Sequence, residues 1–281
     1  MQQLSPFARL VSAVLFAAVC AYTAADLFSL FENGRTETLR EITAAENIRL
    51  DGIALRSEQL ICAEREALLS VGSGARVAAG QNLAAPGGEA VESPCSAVFM
   101  DSRDGYEALS ITEDEFSPDR LNELLALYER GGGTASGAGH VLGRIVKDRK
   151  WYFAAWADCG ELERGQYAIR FDGFEEKLDC AVVRAFPDGA GRTAVLVRLP
   201  IGKNEYLSLR RSGAEIITKE YSGLKISENA LSSDGNGGYT VKKITAAGEK
   251  DCAADIIYKG GGFYIIAPTD ELFPGVKVKP A

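Results

Sequence analysis

The side chains in this 281-residue sequence that could perform chemistry include six cysteines and a single histidine. No two cysteines form the C-x-x-C pair that is typical of a zinc site, and one histidine excludes a His-rich metal site. We therefore predict no metal site and interpret the cysteines as small apolar core residues. A disulfide between Cys62 and Cys95 stays open, because both lie in segments assigned below to one small domain. The six cysteines are Cys20, Cys62, Cys95, Cys159, Cys180 and Cys252.

Patterns that carry catalysis are missing from the sequence. His140, the only histidine available as a base, follows a glycine-rich stretch that offers no fixed orienting partner. The acidic pairs Glu113 with Glu115 and Glu175 with Glu176 lie in polar turns, not in the apolar settings that tune a carboxyl group. Neither a G-x-x-x-x-G-K-[ST] loop nor a G-x-G-x-x-G turn between a strand and a helix is present. We predict no catalytic residue, no cofactor and no enzyme activity.

The charge balance narrows the classes of partner. The formal net charge is −8, and the sequence has no basic stripe with interleaved aromatic residues, so we predict no nucleic-acid partner. Apolar residues make up 46% of the chain and charged residues 25%, which is typical of a folded globular protein.

An uncharged apolar stretch follows Arg9 and runs from Leu10 to Ala25. Extended through Phe31, it is long enough to cross a hydrocarbon core as a helix. We predict a cytoplasmic tail at 1–9, a transmembrane anchor at 10–31 and an extracytoplasmic body, because long domains translocate regardless of flanking charge. A cleaved signal peptide is the alternative, although it would place Thr23 at the −3 position.

The elements after the anchor are mainly short strands. Residues 32–47 are polar and are expected to form a short helix or stalk. Brief apolar or alternating runs then predict strands within 48–56, 58–64, 67–71 and 95–100, and further strands follow His140 at the spacing of a small barrel or sandwich. We therefore predict a mainly β fold.

One helix is predicted at 117–130. Ser117 is suited to the N-cap and Pro118 to the first helical position. Its apolar residues fall on one stripe that should dock on the main body, namely Leu121, Leu124, Leu125 and Tyr128.

Glycines and apolar residues alternate at three-residue steps in 74–83. Gly74, Val77, Gly80 and Leu83 match G-x-x-V-x-x-G-x-x-L, which resembles the turn of a lipoyl-type half-motif. A lipoyl or biotin carrier needs a lysine at the tip between its two halves, and the first lysine here is Lys147. A carrier role is therefore excluded.

Two later segments extend the resemblance. Residues 150–171 are similar to the start of an adaptor β-barrel, with a Gly-Gln turn between strands. Residues 223–231 and 271–279 are similar to a membrane-proximal domain, in which Ser227 replaces the usual proline. The matching residues of this third motif are Gly223, Leu224, Ala230, Leu231, Pro274 and Gly275.

The order of these segments resembles the HlyD-type periplasmic adaptors, or membrane fusion proteins, and most closely the short versions of Gram-positive bacteria. The resemblance implies a lipoyl-like barrel-sandwich domain at 48–110, a short helix and Gly-rich linker at 111–139, a β-barrel at 140–220 and a membrane-proximal β domain at 221–281. Family adaptors carry a long α-helical hairpin between the lipoyl halves. Here the turn-forming residues 84–94 leave no room for it.

The resemblance implies a membrane-anchored extracytoplasmic subunit that packs against a membrane permease in efflux or secretion. The missing hairpin favours a second hypothesis, a non-catalytic cell-envelope scaffold with an adaptor-derived fold. The expected partners are the bilayer and either a permease or envelope-assembly proteins. The transported substrate and the formation of a homo-oligomer stay open.

Overall fold

The computed structural model describes residues 36–84, 90–131, 139–147, 150–200, 203–235 and 237–280. The expected tail at 1–9 and anchor at 10–31 lie outside these residues. Within the described ranges, no helix is long and apolar enough to cross a membrane. The described chain forms two compact units, a large unit of residues 46–219 and a small unit that combines residues 36–45 with 220–280.

The described residues are mainly in β-strands, which confirms the predicted class. The strands are β1 (Glu37–Thr38), β2 (Arg40–Leu55), β3 (Glu58–Ala63), β4 (Arg76–Val77), β5 (Ala97–Met100), β6 (His140–Val146), β7 (Lys150–Ala157), β8 (Gly165–Phe171), β9 (Leu178–Pro187), β10 (Thr193–Pro200), β11 (Arg211–Ser227), β12 (Leu231–Ser233), β13 (Tyr239–Thr245), β14 (Gly248–Ala254), β15 (Ile256–Lys259), β16 (Phe263–Ile266) and β17 (Lys277–Lys279). One α-helix, α1 (Pro118–Glu129), and two 3-10 helices, Asn204–Ser208 and Glu228–Ala230, are described with them.

The polar segment at 36–47 is extended, not a helix or a stalk. It contains β1 and the first half of β2, and β1 pairs with β17 in the register Glu37 to Val278. Strand pairing with residues far along the chain decides this conformation, because local propensity is a weak determinant of strands. The expected stalk is therefore revised to strand from residue 37 onwards.

The large unit contains a four-stranded sheet in the order β3-β6-β5-β4. Strand β6, which the sequence placed at the start of the barrel, pairs here with both β3 and β5, and Ile145 lies opposite Gln59 and Phe99. Ile145 and Phe99 are fully buried in one apolar core, and this burial explains the pairing. The expected strand at 67–71 is reduced to a single bridge between Leu69 and Ala84.

The second sheet of the large unit follows the order β2-β7-β10-β9-β8, and β11 neighbours both β8 and β2. Residues 48–56 were expected in the lipoyl-like domain, but β2 pairs with β7 in the register Ile53 to Ala154. Alternate β2 residues are buried on opposite faces of this sheet: Ala54 contributes to one core and Ile53 to the other. The boundary drawn at residue 48 is therefore revised, because this strand needs the second sheet to bury both faces.

Helix α1 covers one face of the second sheet. The Ser117 hydroxyl oxygen accepts a hydrogen bond from the Arg120 amide at 3.1 Å, and Pro118 occupies the first turn, as predicted. Leu121 and Leu124 are fully buried, and the stripe packs on the sheet core that contains Ile53. The docking face predicted for this helix is therefore confirmed.

The described residues of the small unit pack around an apolar core. Its first sheet runs β1-β17-β13-β12, with β14 on the other side of β13. The part of β11 within this unit pairs with β16, which pairs in turn with β15. The core contains residues from both ends of the described chain, including Leu39, Leu224, Leu272 and Val276.

Candidate functional site

The lipoyl-like turn depends on two glycines with left-handed backbone. Gly74 has a φ of +82° and Gly80 a φ of +76°. The Gly74 amide donates to the Phe99 carbonyl at 2.7 Å, and the Gly80 amide donates to the Ser93 carbonyl at 2.8 Å. A Cβ on Gly74 would lie 2.3 Å from Asn204 Nδ2, but this exposed side chain can move away, so it is the left-handed conformation that requires glycine there.

The apolar members of this motif pack between the two expected lipoyl halves. Val77 is 4% exposed and lies opposite Ala97 in the β4–β5 ladder. Leu83 is fully buried, and its amide donates to the Val91 carbonyl at 2.7 Å. The structure therefore brings 74–83 directly against 91–99.

The membrane-proximal motif residues gather in the small unit. Leu224 and Ala230 are buried in its core, and Leu231 packs at the edge of that core. Gly275 has a φ of +94°, and its amide donates to the Leu39 carbonyl at 2.9 Å, while the preceding Pro274 is exposed.

Gly223 permits a close approach of two strands in the small unit. A Cβ at this position would lie 2.5 Å from the Ile266 carbonyl oxygen and 2.7 Å from Ile265 Cγ2. Any larger residue would push β11 away from β16, which explains why this motif starts with glycine.

Ser227, where the motif usually has proline, makes hydrogen bonds that proline cannot make. Its amide donates to both carboxylate oxygens of Glu37, at 3.1 and 3.0 Å, and its hydroxyl lies 2.6 Å from Glu37 Oε2. Proline lacks the amide hydrogen and the hydroxyl. This departure from the pattern therefore adds a direct connection between β11 and β1.

Six charged side chains that sequence reasoning did not single out form an arginine–carboxylate cluster in the large unit. They come from the four-stranded sheet, from the loop that follows β5, from the end of β2 and from the residue that precedes β11. One sequence signal was available, since Arg144 interrupts the apolar run of β6. The members of the cluster are Arg56, Glu58, Asp104, Glu107, Arg144 and Arg210.

Arg210 and Arg144 share the carboxylates of the cluster. Arg210 lies 2.5 Å from Glu58 Oε2 and donates from Nε to Asp104 at 2.7 Å. Arg144 Nη1 lies 2.7 Å from Asp104 and 3.6 Å from Glu107. Because the side chains of Glu58 and Arg144 are almost fully buried, each charge needs its partners to offset the loss of hydration.

Two arginines of the cluster also donate hydrogen bonds to backbone carbonyls at the end of the 3-10 helix Asn204–Ser208. Arg56 Nη1 donates to the Leu209 carbonyl at 2.8 Å and Nη2 donates to the Tyr206 carbonyl, while Arg144 Nη2 donates to the Leu207 carbonyl at 3.2 Å. The Tyr206 carbonyl also accepts from the Leu209 amide at 3.2 Å, and the arginines supply donors to the Leu207 and Leu209 carbonyls at the end of Asn204–Ser208. The cluster thereby fixes the junction between the two sheets of the large unit.

Two pKa values follow from this arrangement. Burial alone would raise the pKa of Asp104, but the hydrogen bond and charge of Arg210, with the charge of Arg144, lower it to about 2. Burial lowers the pKa of Arg56 to about 9, and the neighbouring charge of Arg210 adds to the effect.

The thiols and the histidine do not assemble a reactive centre in the described part of the chain. Cys62 and Cys95 are free thiols, so the disulfide left open by the sequence is not formed. Burial raises the pKa of Cys180 to about 12, which suppresses the thiolate, and His140 is exposed at the start of β6. No group of three potential metal ligands occurs among the described residues.

No protein-family model and no curated protein sequence matches this chain. Solved structures with similarity to this chain include three at 11% sequence identity. ZneB from Cupriavidus metallidurans aligns over 86% of this chain and 91% of its own, with a TM-score of 0.27. MacA from Actinobacillus actinomycetemcomitans aligns over 86% and 98%, with a TM-score of 0.33. A MacA-MexA chimeric protein that contains the Pseudomonas aeruginosa MexA alpha-hairpin domain aligns over 72% and 91%, with a TM-score of 0.28.

Proposed function

We propose that this protein is a membrane-anchored, extracytoplasmic, non-catalytic subunit of the HlyD adaptor type that packs against a membrane permease. The observation that carries the proposal is the direct pairing of the lipoyl-like half-motif with the second half. Gly74 bonds to Phe99, Gly80 to Ser93 and Leu83 to Val91, in the order that the family resemblance implies.

The small unit supports the same proposal through its own motif. The two segments that resemble a membrane-proximal domain, 223–231 and 271–279, contribute to one core although 39 residues of sequence separate them. Phe273 stands beside this core with 48% of its surface exposed, and the Lys243 ammonium lies 5.3 Å from its ring centroid. We assign this turn to the permease contact.

A second candidate, the cell-envelope scaffold, is favoured by one specific observation. Asn82 forms an antiparallel bridge with Glu92, and only nine residues of sequence separate these two positions. Two antiparallel helices of the family hairpin need many more residues than this. Neither proposed function, the adaptor or the scaffold, therefore includes a contact with a distant partner through a helical hairpin.

Site-specific photocrosslinking in the native host would separate the two candidates. A photoreactive residue at Phe273 should capture an integral-membrane permease, whereas the same residue at Phe186, which is 38% exposed on the large unit, serves as the matched control. Capture of envelope-assembly proteins without any permease would contradict the adaptor proposal and favour the scaffold.

The proposed topology needs a separate test. In a cysteine-free background, a single cysteine at Leu68, which is 80% exposed, should react with a membrane-impermeant maleimide in intact or wall-stripped cells. Protection of this thiol until the cells are lysed would contradict the extracytoplasmic placement.

A further inference from the structure

The small unit has two outer faces, because its core lies between two layers of strands. Val241 and Cys252 enter the core from β13 and β14, and Leu224 and Ile266 enter it from β11 and β16. Side chains alternate between the two sides of a strand, so each layer also presents one face away from the core. The two outer faces differ in composition.

The outer face of β13 and β14 is that of a protein surface in water. The Glu249 carboxylate lies 2.6 Å from the Lys279 ammonium, and both side chains are partly exposed. Ala253 is exposed between the core residues Cys252 and Ala254, so it points away from the core. Exposed ion pairs of this kind are well hydrated and need no further partner.

The outer face of β11, β15 and β16 is aromatic. The Tyr258 ring centroid lies 4.9 Å from that of Tyr221 and 6.3 Å from that of Phe263. The Lys225 ammonium lies 5.0 Å from the Phe263 centroid. We call this surface the hairpin face, and its members are Tyr221, Gly223, Lys225, Tyr258, Phe263 and Ile265.

The hairpin face is apolar, whereas the outer face of an antiparallel sheet in water is usually polar. Ile265 is fully buried although it lies between the core residues Tyr264 and Ile266 and therefore points away from the core. A Cβ on Gly223 would lie 2.7 Å from Ile265 Cγ2, which places both residues on the same side of the sheet. The three aromatic side chains are half-buried and Lys225 is exposed, so apolar surface and a cation meet the surroundings together.

The chain enters the small unit beside this face. The Glu37 carboxylate accepts a hydrogen bond from the Ser227 amide at 3.0 Å, and Ser227 lies opposite Phe263 in the β11–β16 ladder. Opposite residues of an antiparallel pair have Cα atoms about 5 Å apart. The proposed anchor ends at residue 31, and the six residues from there to Glu37 span at most about 22 Å. The anchor would therefore hold the Phe263 end of the hairpin face close to the bilayer surface.

We propose that the hairpin face rests on the headgroup layer of the lipid bilayer. Tyrosine and phenylalanine rings are favoured at this boundary, where apolar and polar surroundings meet. The Lys225 ammonium faces the phosphate groups of anionic lipids, which attract cations near the membrane surface. This inference rests on the membrane anchor of the proposed function, and it adds a lipid contact that is separate from the permease contact at Phe273.

Fluorescence quenching in vesicles tests the contact with the full chain. In a cysteine-free background, Gly261→Cys places an environment-sensitive dye in the exposed turn two residues before Phe263, where a Cβ meets no heavy atom within 4 Å. Ala253→Cys places the same dye on the opposite outer face, and packed sheets lie about 10 Å apart. The vesicles contain phosphatidylcholine and phosphatidylglycerol, with or without a nitroxide on the phosphatidylcholine headgroup. We expect the nitroxide to quench the dye at position 261 several-fold more than the dye at position 253.

Two substitutions in the chain labelled at position 261 assign the quenching to the hairpin face. Lys225→Glu reverses the charge that faces the lipid phosphates, and Phe263→Ser removes the ring next to the dye. Each should lower quenching at position 261, and the double variant should lower it to the level of position 253. Lys242→Glu makes the same charge change on the opposite outer face, where Lys242 is exposed beside Glu249, and should leave quenching unchanged.

Flotation of the vesicles separates the two levels of failure. If the chain does not float with the vesicles, the membrane anchor fails and the hairpin-face contact fails with it. If the chain floats but the two dye positions are quenched equally, or the double variant keeps the full quenching, only the hairpin-face contact is overturned.

Discussion

Ser227 and Glu37, which are separated by 190 positions, are joined by three hydrogen bonds within the small unit. Both the amide and the hydroxyl of Ser227 face the Glu37 carboxylate, and both belong to a position at which the resembled motif has proline. Serine at this position therefore makes a contact with Glu37 that proline could not make.

Replacing Ser227 should loosen the small unit in two steps. Ser227→Ala removes the hydroxyl alone, whereas Ser227→Pro also removes the amide donor and leaves Glu37 without both kinds of bond. We expect a loss of about 1–3 kcal/mol in local protection for the proline variant and a smaller loss for alanine. Hydrogen–deuterium exchange of peptides that cover residues 220–230 measures the loss of protection in each variant.

A matched change at Ser222 provides the control for this series. Its hydroxyl makes an exposed contact of 2.9 Å with the Thr43 hydroxyl, so Ser222→Ala should change protection little. If Ser222→Ala and Ser227→Pro reduced hydrogen-exchange protection equally, the contact between Ser227 and Glu37 would not be a stabilising one.

Arg210→Met should strongly destabilise the large unit. The variant leaves the buried Glu58 carboxylate without its closest partner, and breaking a buried pair from one side typically costs about 3–5 kcal/mol. Urea unfolding followed through Trp151 and Trp156, both in the large unit, measures the loss. Arg49→Met breaks an exposed pair with Asp172 and should cost less than about 1 kcal/mol. A cost for Arg210→Met no larger than that for Arg49→Met would contradict the buried-pair account.

The acid stability of the large unit should depend on Asp104. Its folded-state pKa of about 2 lies below the usual carboxyl value near 4, so its ionised form contributes stability above about pH 4. That contribution should disappear as the pH falls from about 4 to about 2. Urea unfolding across this range should show a stability gap between the wild type and Asp104→Asn that narrows towards low pH. A gap that stays constant would refute the assignment.

Gly74→Ala should destabilise the lipoyl-like turn through its backbone conformation. Alanine at a φ of +82° is strained, so the cost should be about 1–3 kcal/mol, while the exposed Asn204 side chain can move away from the new Cβ. Gly72→Ala is the control, because a Cβ added there would meet no heavy atom within 4 Å and its φ is not in the left-handed range. Thermal unfolding compares the two variants.

Sequence rules that use only neighbouring residues predicted those elements whose conformation is decided by neighbouring residues. Helix α1 follows from Ser117, Pro118 and an apolar stripe, and the turn glycines follow from their spacing. The assignment of strands to sheets did not follow, because an apolar strand such as His140–Val146 is compatible with either sheet. Its partners were fixed by the burial of Ile145 against Phe99.

The charged cluster shows a different limit of sequence reasoning. Its members are far apart along the chain, and Glu58 or Arg210 alone resembles an ordinary surface residue. Only Arg144, which interrupts an apolar strand, signalled a buried charge in need of a partner.

Because β1 pairs with β17, the two units of this protein can complete their folding only at different times during translation. The large unit has all of its residues once position 219 has left the ribosome, whereas β1 must wait for position 278 to find its partner. During that interval the nascent chain carries an unpaired strand edge and an uncovered Leu39, both of which invite association with the wrong strand. Premature termination shortly before β17 should therefore yield a folded large unit and an aggregation-prone remainder.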